Sequence, residues 1–116
     1  MNLLAKSSGE YVPNQGDLIW ISFDPVVGHE QRGHRPALVL SPHSYNAFGY
    51  LLCVPITSRI KTYAFAVLIV QDAIKGSVLC DQIKCVDWKE RGISFIGCAS
   101  SDLVQEVSAK LSVLLP

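Results

Sequence analysis

Residues 28–36 read GHEQRGHRP and bring a carboxylate, an amide, two imidazoles and two guanidiniums together with two glycines. A carboxylate or an imidazole can act as a general base, and a guanidinium can bind an anion. The apolar runs 17–23 and 37–40 flank this stretch, so we expect a polar loop held on a rigid scaffold by two strands. Arg35 is the strongest candidate, because Pro36 restricts the backbone of the residue before it to an extended conformation.

A hydroxyl group from another strand is expected to join Arg35. Arg35 lies at the start of the second predicted strand, and Thr57 ends the third. In an antiparallel pair these two positions lie at the same edge of the sheet. A planar guanidinium matches phosphate oxygens, and a hydroxyl adds another donor, so the pair suits a phosphodiester. Asp81 and Gln82 interrupt a later strand and are further polar candidates.

If the phosphodiester belongs to RNA, the nucleophile can be the substrate's own 2′-hydroxyl group. The protein then supplies in-line positioning, stabilisation of negative charge and proton transfer. Glu30 or a histidine could take the proton. A structural alternative stays open, in which Arg35 simply pairs with Glu30 at the surface and Thr57 is an ordinary strand-end threonine.

The elements that must position these residues are short strands. We expect a mainly β fold with a C-terminal helix, either an SH3-like small barrel or a bent antiparallel sheet. Apolar patterning predicts six strands, over residues 17–23, 36–40, 50–57, 64–70, 77–86 and 93–98. A turn is predicted over residues 71–76, between the fourth strand and the fifth.

Three helical segments accompany the strands. Residues 41–49 fit a short helix in which Ser41 is the N-cap, and residues 87–92 fit a helical turn stopped by glycine. From Ser100 the apolar period becomes helical. Val104, Val107, Leu111 and Leu114 share one face of this last helix, and we expect most of that face to be buried in the core.

Length and composition limit the possible classes of protein. The 116 residues fit one domain, which we assign to 11–116 after a flexible leader over 1–10. The formal charge is zero, which argues against a protein that coats duplex DNA but leaves room for a local basic groove. No apolar run is long enough to span a membrane and no secretion signal is recognisable, so we expect a cytoplasmic protein.

No cofactor or metal is expected. The sequence has no H-E-x-x-H motif, no aspartate cluster and no glycine loop that runs into a helix to hold phosphates. We interpret the cysteines as buried thiols in a reducing compartment, and Trp20 as a core or interface residue. The cysteines are Cys53, Cys80, Cys85 and Cys98.

Taken together, several short motifs resemble the MazF/PemK (Kid) family over residues 11 to about 115. They are YVP at 11–13, GDLIW at 16–20, FDP at 23–25, EQ at 30–31, GHRPA at 33–37, VLSP at 39–42, YN at 45–46, CVP at 53–55 with Thr57, and DQ at 81–82. The resemblance implies the PemK-like toxin fold and a metal-independent, sequence-specific endoribonuclease that cuts single-stranded mRNA. It also implies products with 2′,3′-cyclic phosphate and 5′-hydroxyl ends.

The resemblance further implies partners. Such toxins are homodimers, and the RNA groove runs across the dimer interface. A cognate antitoxin of a type II pair places an extended acidic segment in that groove. No membrane is implied.

Carried over by position, Arg35 and Thr57 match the family's catalytic arginine and threonine, and Glu30 matches its loop glutamate. Asp81 matches an aspartate of the PemK branch, but Leu79 stands where that branch has an arginine. The chain therefore resembles the MazF branch more closely. The residues assigned to RNA binding are Gln31, His34, Ser58, Arg59, Lys61, Asp81 and Gln82.

Two rival functions stay open on the same fold. One is a non-catalytic toxin that binds a protein target such as DNA gyrase, although residues 112–116 lack the Trp-Gly-Ile type of ending of that branch. The other is an inactive relative that binds RNA or sequesters an antitoxin.

Overall fold

The computed structural model describes residues 11–23 and 34–115, so the predicted leader over 1–10 lies outside the described residues. The described part forms strands β1 (Asp17–Ser22), β2 (His34–Val39), β3 (Tyr50–Thr57), β4 (Ala66–Gln71), β5 (Ile74–Leu79), β6 (Lys84–Asp87) and β7 (Ile93–Cys98). Its helices are α1 (His43–Asn46), α2 (Trp88–Arg91) and α3 (Ser101–Leu114). The prediction of a mainly β fold with a C-terminal helix is confirmed.

The strands form one curled antiparallel sheet in the order β4-β5-β3-β2-β1-β7. Strand β3 organises it, because its two ends have different partners. Its first half, from Tyr50 to Cys53, pairs with β6, whereas its last residues, Ile56 and Thr57, pair with β5. Strand β2 pairs along its other edge. This change of partner bends the sheet and brings the start of β5 to the same end of β3 as Thr57.

The single strand predicted over 77–86 is wrong, and β5 and β6 replace it. Asp81 and Gln82 lie in the connection between them, where the amide of Gln82 donates to the carbonyl of Leu79 at 3.1 Å. The two apolar halves cannot form one strand because each pairs with a different end of β3. The predicted turn 71–76 is also too long, since β5 begins at Ile74.

Two apolar clusters form the core, one on each side of the sheet, because successive side chains of a strand point to opposite faces. Leu18 and Leu38 belong to one cluster, and Ile19 and Ala37 belong to the other. Helix α3 covers the first cluster with the buried residues Leu103 and Val107. Leu114, the last residue on the predicted face, is 38% exposed, so the core does not cover this end of the face.

The predicted N-cap role of Ser41 is also wrong. Helix α1 begins at His43, and no side chain caps it. The buried Ser41 hydroxyl instead donates to the side-chain oxygen of Asn46 and accepts from the amide of Leu52 at 2.8 Å. These hydrogen bonds connect α1 to β3. The helical turn predicted over 87–92 is confirmed as α2, in which Asp87 caps the amide of Glu90.

The cysteines are free thiols, but only Cys53 and Cys80 are buried. Burial raises the pKa of Cys53 to about 12 and that of Cys80 to about 11. Cys85 and Cys98 are exposed, so the prediction that every thiol is buried is wrong. Within residues 11–23 and 34–115, no helix has the length and apolar character needed to cross a membrane.

Candidate active site

A cavity of about 340 Å³ lies at the end of β3 where β2 and β5 flank it. Its described lining residues are Trp20, His34, Arg35, Pro36, Ile56, Thr57, Ser58, Ala73, Ile74 and Lys75. The lining therefore combines apolar and aromatic side chains with cations and hydroxyl groups. This arrangement fits a ligand that has both flat apolar groups and negative charge.

Arg35 is held in the cavity wall by regular strand pairing. It is the second residue of β2 and lies opposite Ile21, while Pro36 lies opposite Trp20. Because β2 pairs with β1 and Pro36 directly follows Arg35, the backbone of Arg35 has little freedom. The side chain itself is exposed and available to a ligand.

Thr57 reaches the same cavity from β3. The register of β2 and β3 pairs Ala37 with Pro55, and Arg35 and Thr57 lie two residues further along each strand. Both residues line the same cavity, as the antiparallel strand order predicts. The Thr57 hydroxyl oxygen accepts from the amide of Arg59 at 3.2 Å. This bond orients the oxygen and leaves the hydroxyl proton free to donate to a ligand.

Gly76 allows β5 to pack closely against Thr57. A Cβ atom at this position would overlap the carbonyl oxygen of Thr57 and lie 2.9 Å from its carbonyl carbon. It would also lie 3.0 Å from the Cα atom of Ser58. Only glycine fits this approach of two backbones, so Gly76 sets the position of Thr57 relative to β5.

Lys75, next to Gly76, is a site residue that the sequence analysis missed. It falls within the turn predicted over 71–76, whereas in the structure it is the second residue of β5. It is exposed and lines the cavity. Recognising that Ile74 starts the strand would have identified it.

Trp20 and His34 form the aromatic part of the wall. Their rings meet edge to face, with centroids 5.9 Å apart and planes at 88°. Trp20 is 38% exposed, so of its two predicted roles the core role is wrong and the interface role stays a prediction. A partly exposed indole beside cationic groups can contact an unstacked nucleic acid base.

Four residues assigned to RNA binding are described but do not line this cavity: Arg59, Lys61, Asp81 and Gln82. The Lys61 amide donates to the buried Ser77 hydroxyl at 2.9 Å, which holds the loop after Thr57 against β5. Asp81 accepts from the Tyr63 hydroxyl at 2.7 Å, and this bond raises the pKa of Tyr63 to about 12. Glu30 and Gln31 lie outside the described residues.

The described lining of the cavity is positively charged although the chain as a whole is neutral. Arg35 and Lys75 contribute positive charge, and none of the described lining residues is acidic. Thr57 and Ser58 add hydroxyl donors. In the part of the chain that the structure describes, no group of three His, Cys, Asp or Glu side chains could hold a metal ion. The described groups can bind a phosphodiester and stabilise added negative charge on it.

Comparison with known proteins points in the same direction. The family model for "PemK-like, MazF-like toxin of type II toxin-antitoxin system" matches residues 14–115. The chain is 46% identical over 106 residues to the endoribonuclease toxin MazF of Escherichia coli K12, an alignment covering 90% of this chain and 96% of the relative. Identity to the E. coli endoribonuclease PemK is lower, at 36% over 87% of this chain and 80% of that protein.

A solved complex shares the fold. The crystal structure of MazE–MazF (Form-II) from Deinococcus radiodurans matches with a TM-score of 0.79 and 39% identity. The match covers 90% of this chain and 96% of the matched chain.

Proposed function

The chain belongs to the family of PemK-like, MazF-like toxins of type II toxin–antitoxin systems, and we propose that residues 11–116 form an endoribonuclease domain that cuts single-stranded mRNA without a metal ion. The observation that carries the proposal is that Arg35 and Thr57 line one electropositive cavity. The 46% identity to an endoribonuclease toxin supports RNA cleavage over binding of a protein target such as DNA gyrase. We place its action in the cytoplasm, where mRNA is translated.

In the proposed reaction the 2′-oxygen of the RNA attacks the neighbouring phosphorus atom, and the bond from phosphorus to the 5′-oxygen breaks. A base takes the 2′-hydroxyl proton, for which Glu30 and His34 are the candidates, and the departing 5′-oxygen gains a proton. The products carry a 2′,3′-cyclic phosphate and a 5′-hydroxyl group. Arg35 binds the phosphate oxygens and Thr57 donates a hydrogen bond, so both oppose the charge that develops there.

RNA contacts extend beyond the reacting phosphate. His34 and Ser58 lie in the cavity wall, and Arg59 and Lys61 follow in the loop after β3. We assign the same role to Gln31, Asp81 and Gln82 by resemblance. Contacts of this kind hold the RNA backbone in register, while an unstacked base can be read at the aromatic wall.

The proposed partners are a cognate antitoxin and a second copy of the chain. An extended acidic segment of the antitoxin would occupy the RNA groove, because carboxylates and phosphates bind the same cations. The complex of MazE with MazF that matches this fold supports an antitoxin partner. Exposed apolar residues such as Val113 and Leu115, which are 71% and 59% exposed, support a homodimer.

The proposal is tested by incubating the purified protein with a long single-stranded RNA in EDTA and mapping the cut ends. Wild type is expected to give discrete cuts, and Arg35→Ala is expected to give none. Lys89→Ala is the matched control, because Lys89 lies in α2, beyond the opposite end of β3. The absence of discrete cuts by wild type, or equal cutting by Arg35→Ala, would overturn the catalytic proposal.

A further inference from the structure

Lys75 is the cation of the cavity that no part of the proposed reaction uses. It lies on the second position of β5, opposite the exposed Val70 of β4. The next residue, Gly76, packs directly on the backbone of Thr57. The backbone of Lys75 is therefore fixed relative to Thr57 by strand pairing on one side and by this close packing on the other.

Arg35 and Lys75 approach the cavity from opposite sides of Thr57. The sheet order is β5-β3-β2, so β5 and β2 are separated by one strand. Lys75 stands two residues before Ser77, the residue paired with Thr57, so it is also displaced from Thr57 along the strand direction. When Arg35 and Thr57 hold one phosphate, Lys75 is left to bind a different phosphate of the same RNA chain.

We propose that Lys75 binds the RNA phosphate next to the scissile phosphate and thereby positions the RNA chain across Thr57. This inference rests on the proposed function, because it takes single-stranded RNA as the ligand. The ammonium group of a lysine is a compact charge on a flexible stem and suits a phosphate that is held but does not react. Lys75 therefore contributes to RNA binding and not to the chemical step.

The test compares wild type with Lys75→Gln and Lys75→Arg in two assays. The first measures binding of a labelled random-sequence pool of single-stranded DNA, which carries phosphates but no 2′-hydroxyl groups, at several salt concentrations. The second measures KM and kcat for RNA cleavage. Lys89→Gln is the control for a general loss of positive charge, since Lys89 lies in α2, away from the cavity.

Lys75→Gln is expected to weaken binding about three- to tenfold and to reduce the slope of log Kd against log salt by about 0.7, the value for one phosphate contact on a single strand. KM should rise in the same ratio while kcat stays within twofold, and Lys75→Arg should keep both values. Unchanged binding and an unchanged slope in Lys75→Gln would overturn the inference. So would a loss confined to kcat. If wild type binds the DNA pool but cuts no RNA, the proposed function fails. The binding assay alone then shows whether Lys75 binds a phosphate.

Discussion

Gly76→Ala tests whether the position of Thr57 depends on the packing of β5. The added Cβ atom would overlap the Thr57 carbonyl oxygen and lie 2.9 Å from the carbonyl carbon. Carbon atoms in ordinary contact are about 3.5–4.0 Å apart, so the end of β3 must move by roughly 1 Å. Overpacking of this kind costs about 1–3 kcal/mol. A displacement of about 1 Å at a reacting group can reduce the rate on the order of 100-fold.

The assay combines thermal unfolding with single-turnover RNA cleavage at a temperature where the variant is fully folded. We expect Tm to fall by roughly 5–20 °C and the cleavage rate to fall about 100-fold. Gly97→Ala is the matched control, because its Cβ atom would meet only the carboxylate of Asp72, at 2.7 Å, which can rotate away. A folded Gly76→Ala protein that cleaves within twofold of wild type would refute the reasoning.

Three further predictions follow from single hydrogen bonds. Thr57→Val should reduce kcat about 10²–10³-fold with little change in stability, because it removes one hydrogen-bond donor to the phosphate. Thr57→Ser should retain most activity. Equal rates for wild type and Thr57→Val would contradict this prediction. Ser41→Ala should lower the free energy of unfolding by about 1–3 kcal/mol in urea denaturation, because the amide of Leu52 loses its acceptor. RNA cleavage at 25 °C should not change. An unchanged urea midpoint would show that this hydrogen bond is dispensable. The difference between the absorbance titrations of wild type and Tyr63→Phe isolates the Tyr63 phenol, and its pKa should be about 12. Asp81→Asn should move this pKa towards 10. Because folding raises the pKa of Tyr63, its hydrogen bond stabilises the folded state fully below pH 10, and this stabilisation is lost as the pH rises through about 12. A Tyr63 titration midpoint near pH 10 in wild type would mean that the hydrogen bond is absent.

The sequence predicted those parts of the site that depend on strand order. Strand β3 was predicted with its observed bounds, and antiparallel order alone brought Thr57 to the same edge as Arg35. Local pattern was sufficient because both residues lie on strands adjacent in the chain. The catalytic roles of these residues stay predictions.

The rest of the site depends on contacts that a local pattern does not contain. Lys75 was missed because the close approach of Gly76 to Thr57 is a contact between distant parts of the chain. The core role considered for Trp20 was wrong because the apolar pattern of β1 does not reveal that its neighbouring cavity is open. The split of 77–86 falls at the polar residues Asp81 and Gln82, but the pattern alone does not reveal that the two halves pair with different ends of β3.

The central claim is that the RNA supplies its own nucleophile while Arg35 and Thr57 hold the phosphate. The most direct measurement uses a short RNA with one mapped cut site and a matched RNA that lacks only the 2′-hydroxyl group next to the scissile phosphate, both in EDTA. We predict that the first RNA is cut to a 2′,3′-cyclic phosphate and a 5′-hydroxyl end and that the second is not cut. Cleavage of the second RNA at the same position would contradict the account.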